Sequence, residues 1–339
     1  MNPSKYKKLG TALAGGLLMT GIILSLFVYQ MHRFLHTPAG DQKQAISFTI
    51  TPGQSLKQVA ANLKKNGLIT NSSQFNLYVQ YKRATTQLRA GEYELSSAQT
   101  PAQILDLFLK GKVRLYRLTI PEGLNMDEIA LLVQQTHSCD PIQFLSLCTD
   151  IDFIKTLKVD SHSLEGYLYP DTYFFPKNTP CRQILQKLVD TFHKTYTEKW
   201  KERTKELGFT VHEIVTLASM IEKETGDAFE RPLISSVFHN RLKINMRLES
   251  DPTVVYGDKE FDGRIRTRHL QRITPYNTYQ IQGLPLGPIA NPGGLALKAA
   301  LYPDTSPYLF FVSKNDTTHQ FSTTFSEHNA AVRKYQLNH

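Results

Sequence analysis

The stretch Leu217-Ala-Ser-Met-Ile-Glu-Lys-Glu-Thr225 closes an apolar helix and carries two carboxylates in its last turn. Upstream, Thr210 and Glu213 stand at the spacing of an N-cap and its reciprocal partner, and Val211 opens the apolar run. Val211, Ile214, Val215, Ala218 and Ile221 recur at helical spacing, which predicts a helix with one buried face. Gly226 is the expected stop, because glycine tolerates the left-handed conformation that ends helices. At ~100° per residue, Glu222 falls beside Val211 and Val215, and Glu224 beside Leu217 and Met220. The two carboxylates therefore flank the apolar stripe on opposite sides.

The C-terminal end of a helix carries partial negative charge, so a carboxylate there is disfavoured. Partial burial acts in the same direction, and a glutamate in this turn should tend to hold its proton. A general acid that protonates a glycosidic oxygen needs that property. The alternative for this stretch alone is a solvated helix end with no chemical role.

A chain of 339 residues has room for two or three domains and a sizeable core. Hydrophobic residues at 41% and charged residues at 20% are ordinary for a globular protein. The formal charge of +9 suits an anionic partner without naming it. The three cysteines, Cys139, Cys148 and Cys181, form no Cys-x-x-Cys zinc pattern, and an odd number cannot pair completely within one chain. His212-Glu213 begins like a zinc-protease helix, but Thr216 stands where the second histidine would be. Neither a Gly-x-Ser-x-Gly elbow nor a phosphate-binding Walker loop occurs. The expectation is a chain with no metal site and no cofactor.

Residues 9–31 carry no charge and are dominated by Leu, Ile, Gly, Ala and Val, enough to cross ~30 Å of hydrocarbon. Lys5, Lys7 and Lys8 precede them and only Arg33 follows closely, which puts residues 1–8 in the cytoplasm and the remainder outside. A retained anchor is favoured over a cleaved signal peptide, since the apolar core exceeds the usual ~7–15 residues and no clear small-x-small site follows. Residues 32–45 form a short polar linker. Residues 46–136 contain an internal repeat: Phe48-Thr-Ile-Thr-Pro-Gly-Gln-Ser-Leu-Lys-Gln-Val-Ala against Leu118-Thr-Ile-Pro-Glu-Gly-Leu-Asn-Met-Asp-Glu-Ile-Ala. Each copy predicts a strand, a Pro/Gly turn, a polar cap and an amphipathic helix. Such units resemble LysM-like modules, which bind glycan chains; a purely packing module is the other reading. Beyond residue 136, Cys139 and Cys148 could close a local disulfide in an oxidising compartment, or stay a pair of free buried thiols. Glu165-Gly-Tyr-Leu-Tyr-Pro-Asp-Thr-Tyr173 is an aromatic turn able to stack on sugars or fill a core. Residues 181–207 predict a charged amphipathic helical stretch ending at Gly208.

After Gly226 short motifs become dense: Val237-Phe-His-Asn-Arg-Leu242, Met246-Arg-Leu248, Ser250-Asp-Pro-Thr-Val-Val-Tyr256, Pro275-Tyr-Asn-Thr-Tyr279, Gly283-Leu-Pro-Leu-Gly-Pro-Ile289, Asn291-Pro-Gly293 and Pro307-Tyr-Leu-Phe-Phe-Val312. With Ala218-Ser-Met-Ile-Glu-Lys-Glu-Thr225 and Glu165-Gly-Tyr-Leu-Tyr-Pro-Asp-Thr172, their order and gaps closely resemble the endolytic murein transglycosylase family (MltG- or YceG-like), from the anchor to the last motif. One departure is Leu286, where that family commonly has a second proline. The resemblance implies an α+β protein: a transmembrane helix, a small α/β LysM-like domain over residues 46–136, and a larger α+β catalytic domain over residues 137–339. It implies a location in the inner membrane with the catalytic domain periplasmic or otherwise extracytoplasmic. It implies cleavage of nascent peptidoglycan strands between N-acetylmuramic acid and N-acetylglucosamine, leaving 1,6-anhydromuramic ends and ending strand elongation.

The family's acid belongs to the Glu-Lys-Glu-Thr motif and is placed on Glu224, with Glu222 as second choice. Ser250, Asp251, Tyr276 and Asn277 are the candidate substrate-binding residues; loop packing and capping are their alternative roles. The muramic 6-hydroxyl attacks its own anomeric carbon, so one carboxyl suffices and Glu224 is expected to serve as acid and then base, whereas hydrolytic glycosidases usually need two. The rivals are a lysozyme-like hydrolase using Glu224 with Asp251 or Glu222, and a non-catalytic wall-binding scaffold of the elongation or division machinery. Expected partners are glycan strands, the inner membrane and peptidoglycan synthases, with no nucleic acid. The basic run Arg264, Arg266, Arg268 and Arg272 could meet the carboxylates of stem peptides, or form a solvated face.

Overall fold

The computed structural model describes residues 3–137 and 139–337. The chain mixes helices with three two-stranded sheets among these residues. It divides into two compact units, one running through Tyr116 and the other beginning at Arg117.

The first unit opens with the helix Pro3–His36, in which Gly15–His36 is long and apolar enough to cross a membrane. Large apolar side chains from Leu17 to Tyr29 stand exposed on it. The helix outruns the expected boundary at residue 31, and the expected linker is partly tied down. Phe34 is buried in the unit's core, and the Gly40 N–H donates to the Ser97 carbonyl at 3.0 Å. Strand Ile46–Ile50 pairs antiparallel with Gly91–Leu95, in a register that sets Phe48 opposite Tyr93. Both side chains face the core with Val59, Leu63, Phe75 and Phe108, from helices Leu56–Lys65, Ser72–Tyr81 and Pro101–Lys110. Ser55 with Gln58, and Thr100 with Gln103, close reciprocal capping boxes that satisfy otherwise orphan N–H groups.

The two copies of the repeat share their local geometry. Gly53 and Gly123 both sit at φ 79°, a turn conformation that suits glycine. Asn125 and Glu128 cap the helix Met126–Thr136 as Ser55 and Gln58 cap theirs. The copies nonetheless belong to different cores, because Leu118, Ile129, Ala130 and Val133 pack in the second unit. The compact units thus divide at 116/117, whereas the periodicity of the repeat points to 136/137.

At the centre of the second unit lies the helix Val211–Glu224, begun by the Thr210–Glu213 capping box. Every residue from Ile214 to Ile221 is buried, so the helix is enclosed on all sides instead of presenting one apolar face. A helix apolar around its circumference belongs inside a core. The two polar intruders are satisfied: Thr216 donates to the His212 carbonyl, and Ser219 donates to the Thr216 carbonyl while accepting from Ile289 N–H. Its most extensive neighbour is Gly294–Leu301, where Ala296, Ala299 and Ala300 present short side chains that permit close approach. On the other side the Glu165-Gly-Tyr turn is wedged in place. A Cβ on Gly166, at φ 87°, would lie 2.6 Å from both Val215 and Pro288, so only glycine fits.

The helix stops at Glu224 because Thr225 is extended (φ −143°, ψ 136°), and Gly226 does not take the left-handed conformation expected of it. The charged stretch after Cys181 is two helices, Cys181–Thr195 and Glu198–Glu206, the first burying Ile184, Leu185, Leu188 and Phe192. Cysteine pairing also differs from expectation. Cys139 bonds to Cys181, with Cα atoms 5.2 Å apart, and Cys148 is a free buried thiol. Cys148 lies at the end of helix Pro141–Cys148 facing Phe144 and the apolar core, whereas Cys181 begins the helix that packs against that element.

Candidate active site

Glu224 is the last residue of the central helix, and its carboxyl lines a cavity of about 280 Å³. Burial pushes its pKa up to about 7; the Ser250 hydrogen bond opposes the shift, neighbouring Asp251 adds to it, and Arg241 opposes it. The carboxyl therefore holds or releases a proton near neutrality, as a general acid must.

Ser250 donates its hydroxyl to Glu224 Oε1. The serine is fixed from behind: its N–H donates to Thr278 Oγ1 at 2.9 Å, and its carbonyl accepts from Thr253 Oγ1 at 2.6 Å. Thr253 and Thr278 also join through their hydroxyls at 2.9 Å. Glu249, just before Ser250, holds φ 48°, a costly conformation for a non-glycine residue. Asp251 begins the short helix Asp251–Val255, lines the same cavity, and accepts a 2.6 Å hydrogen bond from the Tyr279 hydroxyl.

Arg241, from the helix Arg231–Lys243, lines the same cavity. It donates to the carbonyls of Leu309, Leu248 and Arg247 and to Glu249 Oε2, and lies 5.1 Å over the Phe310 ring. His319 and His328 complete the lining from the C-terminal hairpin, strands Phe310–Ser313 and His319–Ser322, and the helix Phe325–Val332.

Glu222 has a different setting. Its carboxylate pairs with Arg231 at 2.7 Å and accepts the Gly293 N–H at 2.9 Å, with both charged side chains buried. Burial raises its pKa while Gly293 and Arg231 pull it down. A carboxylate held by two donors is engaged in structure, and it does not line the Glu224 cavity.

The structure brings Ser250 and Asp251 to Glu224 but not Tyr276 or Asn277. Tyr276 tilts against Tyr256 at 4.6 Å and lines another cavity with Glu165 and His212. Asn277 is buried, with its amide spent on the carbonyls of His269, Leu270 and Arg272. Its Oδ1 accepts from Tyr279 N–H, so it shapes the loop that delivers Thr278 and Tyr279. In the basic run, Arg266 is paired with Asp262 and Arg272 with Asp258. A third carboxyl with raised pKa, Glu165, is buried and reaches about 7, chiefly through burial; Met126 N–H, Tyr256 OH and Asn291 Nδ2 all donate to it. Among the described residues no three His, Cys, Asp or Glu side chains gather as a metal site would require.

The chain matches the YceG-like family over residues 48–334, and it belongs to that family. A Bacillus subtilis (strain 168) protein named endolytic murein transglycosylase is 34% identical over 311 residues, 87% of this chain and 86% of that protein. A protein of the same name from Streptococcus pneumoniae serotype 2 is 30% identical over 304 residues, 80% of this chain and 55% of its relative. The crystal structure of a YceG-like protein from Listeria monocytogenes aligns with a TM-score of 0.59 at 36% identity, spanning 85% of this chain and 99% of that one.

Proposed function

We propose that this protein is an endolytic lytic transglycosylase of peptidoglycan, with Glu224 as the acid that protonates the leaving glycosidic oxygen. The observation that carries the reading is the Glu224 carboxyl itself, pushed up to about 7 at the edge of a polar cavity and steadied by Ser250. The muramic 6-hydroxyl supplies the nucleophile from within the substrate, so neither water nor an enzyme nucleophile is consumed. Asp251 and Tyr279 meet the glycan by hydrogen bonding, and Tyr276 and Asn277 support the loop that carries Tyr279. Family membership and the relatives' names agree with this chemistry.

The apolar helix Pro3–His36 serves as a single-pass anchor in the inner membrane, with Lys5, Lys7 and Lys8 on the cytoplasmic side and the site outside. Nascent strands leaving peptidoglycan synthases are then within reach of the site. The strand–turn–helix unit after the anchor acts as a LysM-like holder for the glycan. Asp251 in the same cavity favours one rival, a lysozyme-like hydrolase with two carboxylates. Mass spectrometry of glycan strands digested by the purified protein separates the two. Anhydromuramic ends are the expected result; reducing muramic ends would overturn the transglycosylase reading.

A further inference from the structure

Two histidines line the Glu224 cavity without a part in the chemistry above. His328 lies against Phe310 with its Nδ1 buried and unpartnered among the described residues. His319 is better built for a task. Its Nδ1 lies 2.7 Å from Glu230 Oε2, and its own N–H donates to Glu230 Oε1 at 2.9 Å. Phe311 packs edge-on against the imidazole at 5.5 Å. A carboxylate only accepts, so Nδ1 carries the hydrogen and the ring orientation is set. Nε2 is the ring nitrogen left to meet a ligand, and His319 and Glu224 line the same cavity. Carboxylate, imidazole and reacting group in series is the arrangement by which proteins orient a general base.

We infer that His319 is the catalytic base of the cleavage, held by Glu230 as a positioning residue, so that acid and base are separate groups. The inference rests on the transglycosylase reading. Glu224 gives its proton to the glycosidic oxygen as the bond from that oxygen to the anomeric carbon breaks. The muramic 6-oxygen bonds to the same carbon and loses its proton to His319 Nε2. The imidazolium is stabilised by Glu230, and its proton returns to Glu224 after product leaves. Atoms balance without water: one strand ends in an anhydro ring and the other in a free hydroxyl. The charged and titratable groups sharing the cavity are Glu224, Arg241, Glu249, Asp251, Tyr279 and His328.

The test measures kcat and KM from pH 4 to pH 9 on un-crosslinked glycan strands, using the full chain in detergent with anhydromuramic ends as the readout. Wild type should lose kcat on both sides of its optimum. His319→Gln should lower kcat by at least about 100-fold with little change in KM, and its rate should no longer fall on the acid side. Glu230→Gln, which leaves the imidazole in place, should lower kcat at least tenfold with KM unchanged, and it carries the test if His319→Gln does not fold. A wild-type kcat in these variants, or an equal loss at every pH with the profile unaltered, overturns the role of His319. Failure of the wild-type chain to make anhydro ends would instead defeat the transglycosylase reading, so the two failures are distinguishable.

Discussion

Ser250 donates its hydroxyl hydrogen to the carboxyl of Glu224 across twenty-six residues of chain. That contact opposes burial: desolvation holds the proton on Glu224, whereas an accepted hydrogen bond favours releasing it. Ser250→Ala should therefore raise the Glu224 pKa further. A hydrogen bond to a charged group is worth ~1.5–3 kcal/mol, so the alkaline fall in kcat should move up by about one to two pH units. A pH–rate profile checks this; a downward move would reverse the assigned sign.

Ionising Glu224 and Glu165 should destabilise the second unit. Both have folded-state values near 7 against an ordinary 4.5. A raised value means the folded state binds the proton more tightly, so the stabilisation is complete below about 4.5 and is lost as pH rises through about 7. Replacing Glu224 by glutamine removes its share. Glu224→Gln should melt several degrees above wild type at pH 8, by on the order of 2 kcal/mol, and alongside it at pH 5. Calorimetry at the two pH values provides the comparison.

Arg231 should matter more to stability than to the chemical step. Its partner Glu222 is buried, and Arg231→Ala would leave that carboxylate without its 2.7 Å ion pair. Breaking a buried pair from one side costs ~3–5 kcal/mol. Chemical denaturation should show a loss of this size. A loss under about 1 kcal/mol would mean that Glu222 finds another partner.

Cys139–Cys181 joins residues 42 apart in sequence. Closing a loop of that length stabilises by ~4 kcal/mol in the chain-entropy treatment. A Cys139→Ser, Cys181→Ser double variant should show a clearly lower Tm, and reductant should lower the wild type to match. Cys148→Ala should not respond to reductant in any way that differs from wild type.

Local signals in the sequence carried far. The Thr210–Glu213 cap, the repeat's capped helices and the apolar N-terminal span depend on neighbours within a few residues, and the helices form where their periodicity puts them. Long-range assembly was opaque. Glu222 and Glu224 have similar surroundings along the helix, and the partners brought in by the fold, Arg231 and Gly293 for one and Ser250 for the other, distinguish them. Pro275-Tyr-Asn-Thr-Tyr279 marked the right loop, but side-chain direction within a loop has no period to follow. The cavity consequently receives Tyr279, while Asn277 is spent on backbone carbonyls. Arg241, His319 and His328 come from distant segments. Of these only Arg241 lies in one of the dense motifs after Gly226, and nothing in Val237-Phe-His-Asn-Arg-Leu242 points it toward Glu224. Cysteine pairing failed for the same reason: the nearer Cys148 faces the core, and helix packing selects Cys181.

The most direct measurement compares wild type, Glu224→Gln and Glu222→Gln for release of anhydromuramic ends from nascent un-crosslinked strands, with folding of each verified by calorimetry. Glu224→Gln should lose on the order of 1,000-fold or more in kcat, while Glu222→Gln stays within about tenfold of wild type. A folded Glu224→Gln protein that cuts as fast as wild type, or a reversal in which Glu222→Gln is the dead variant, would contradict the role of Glu224 as the acid.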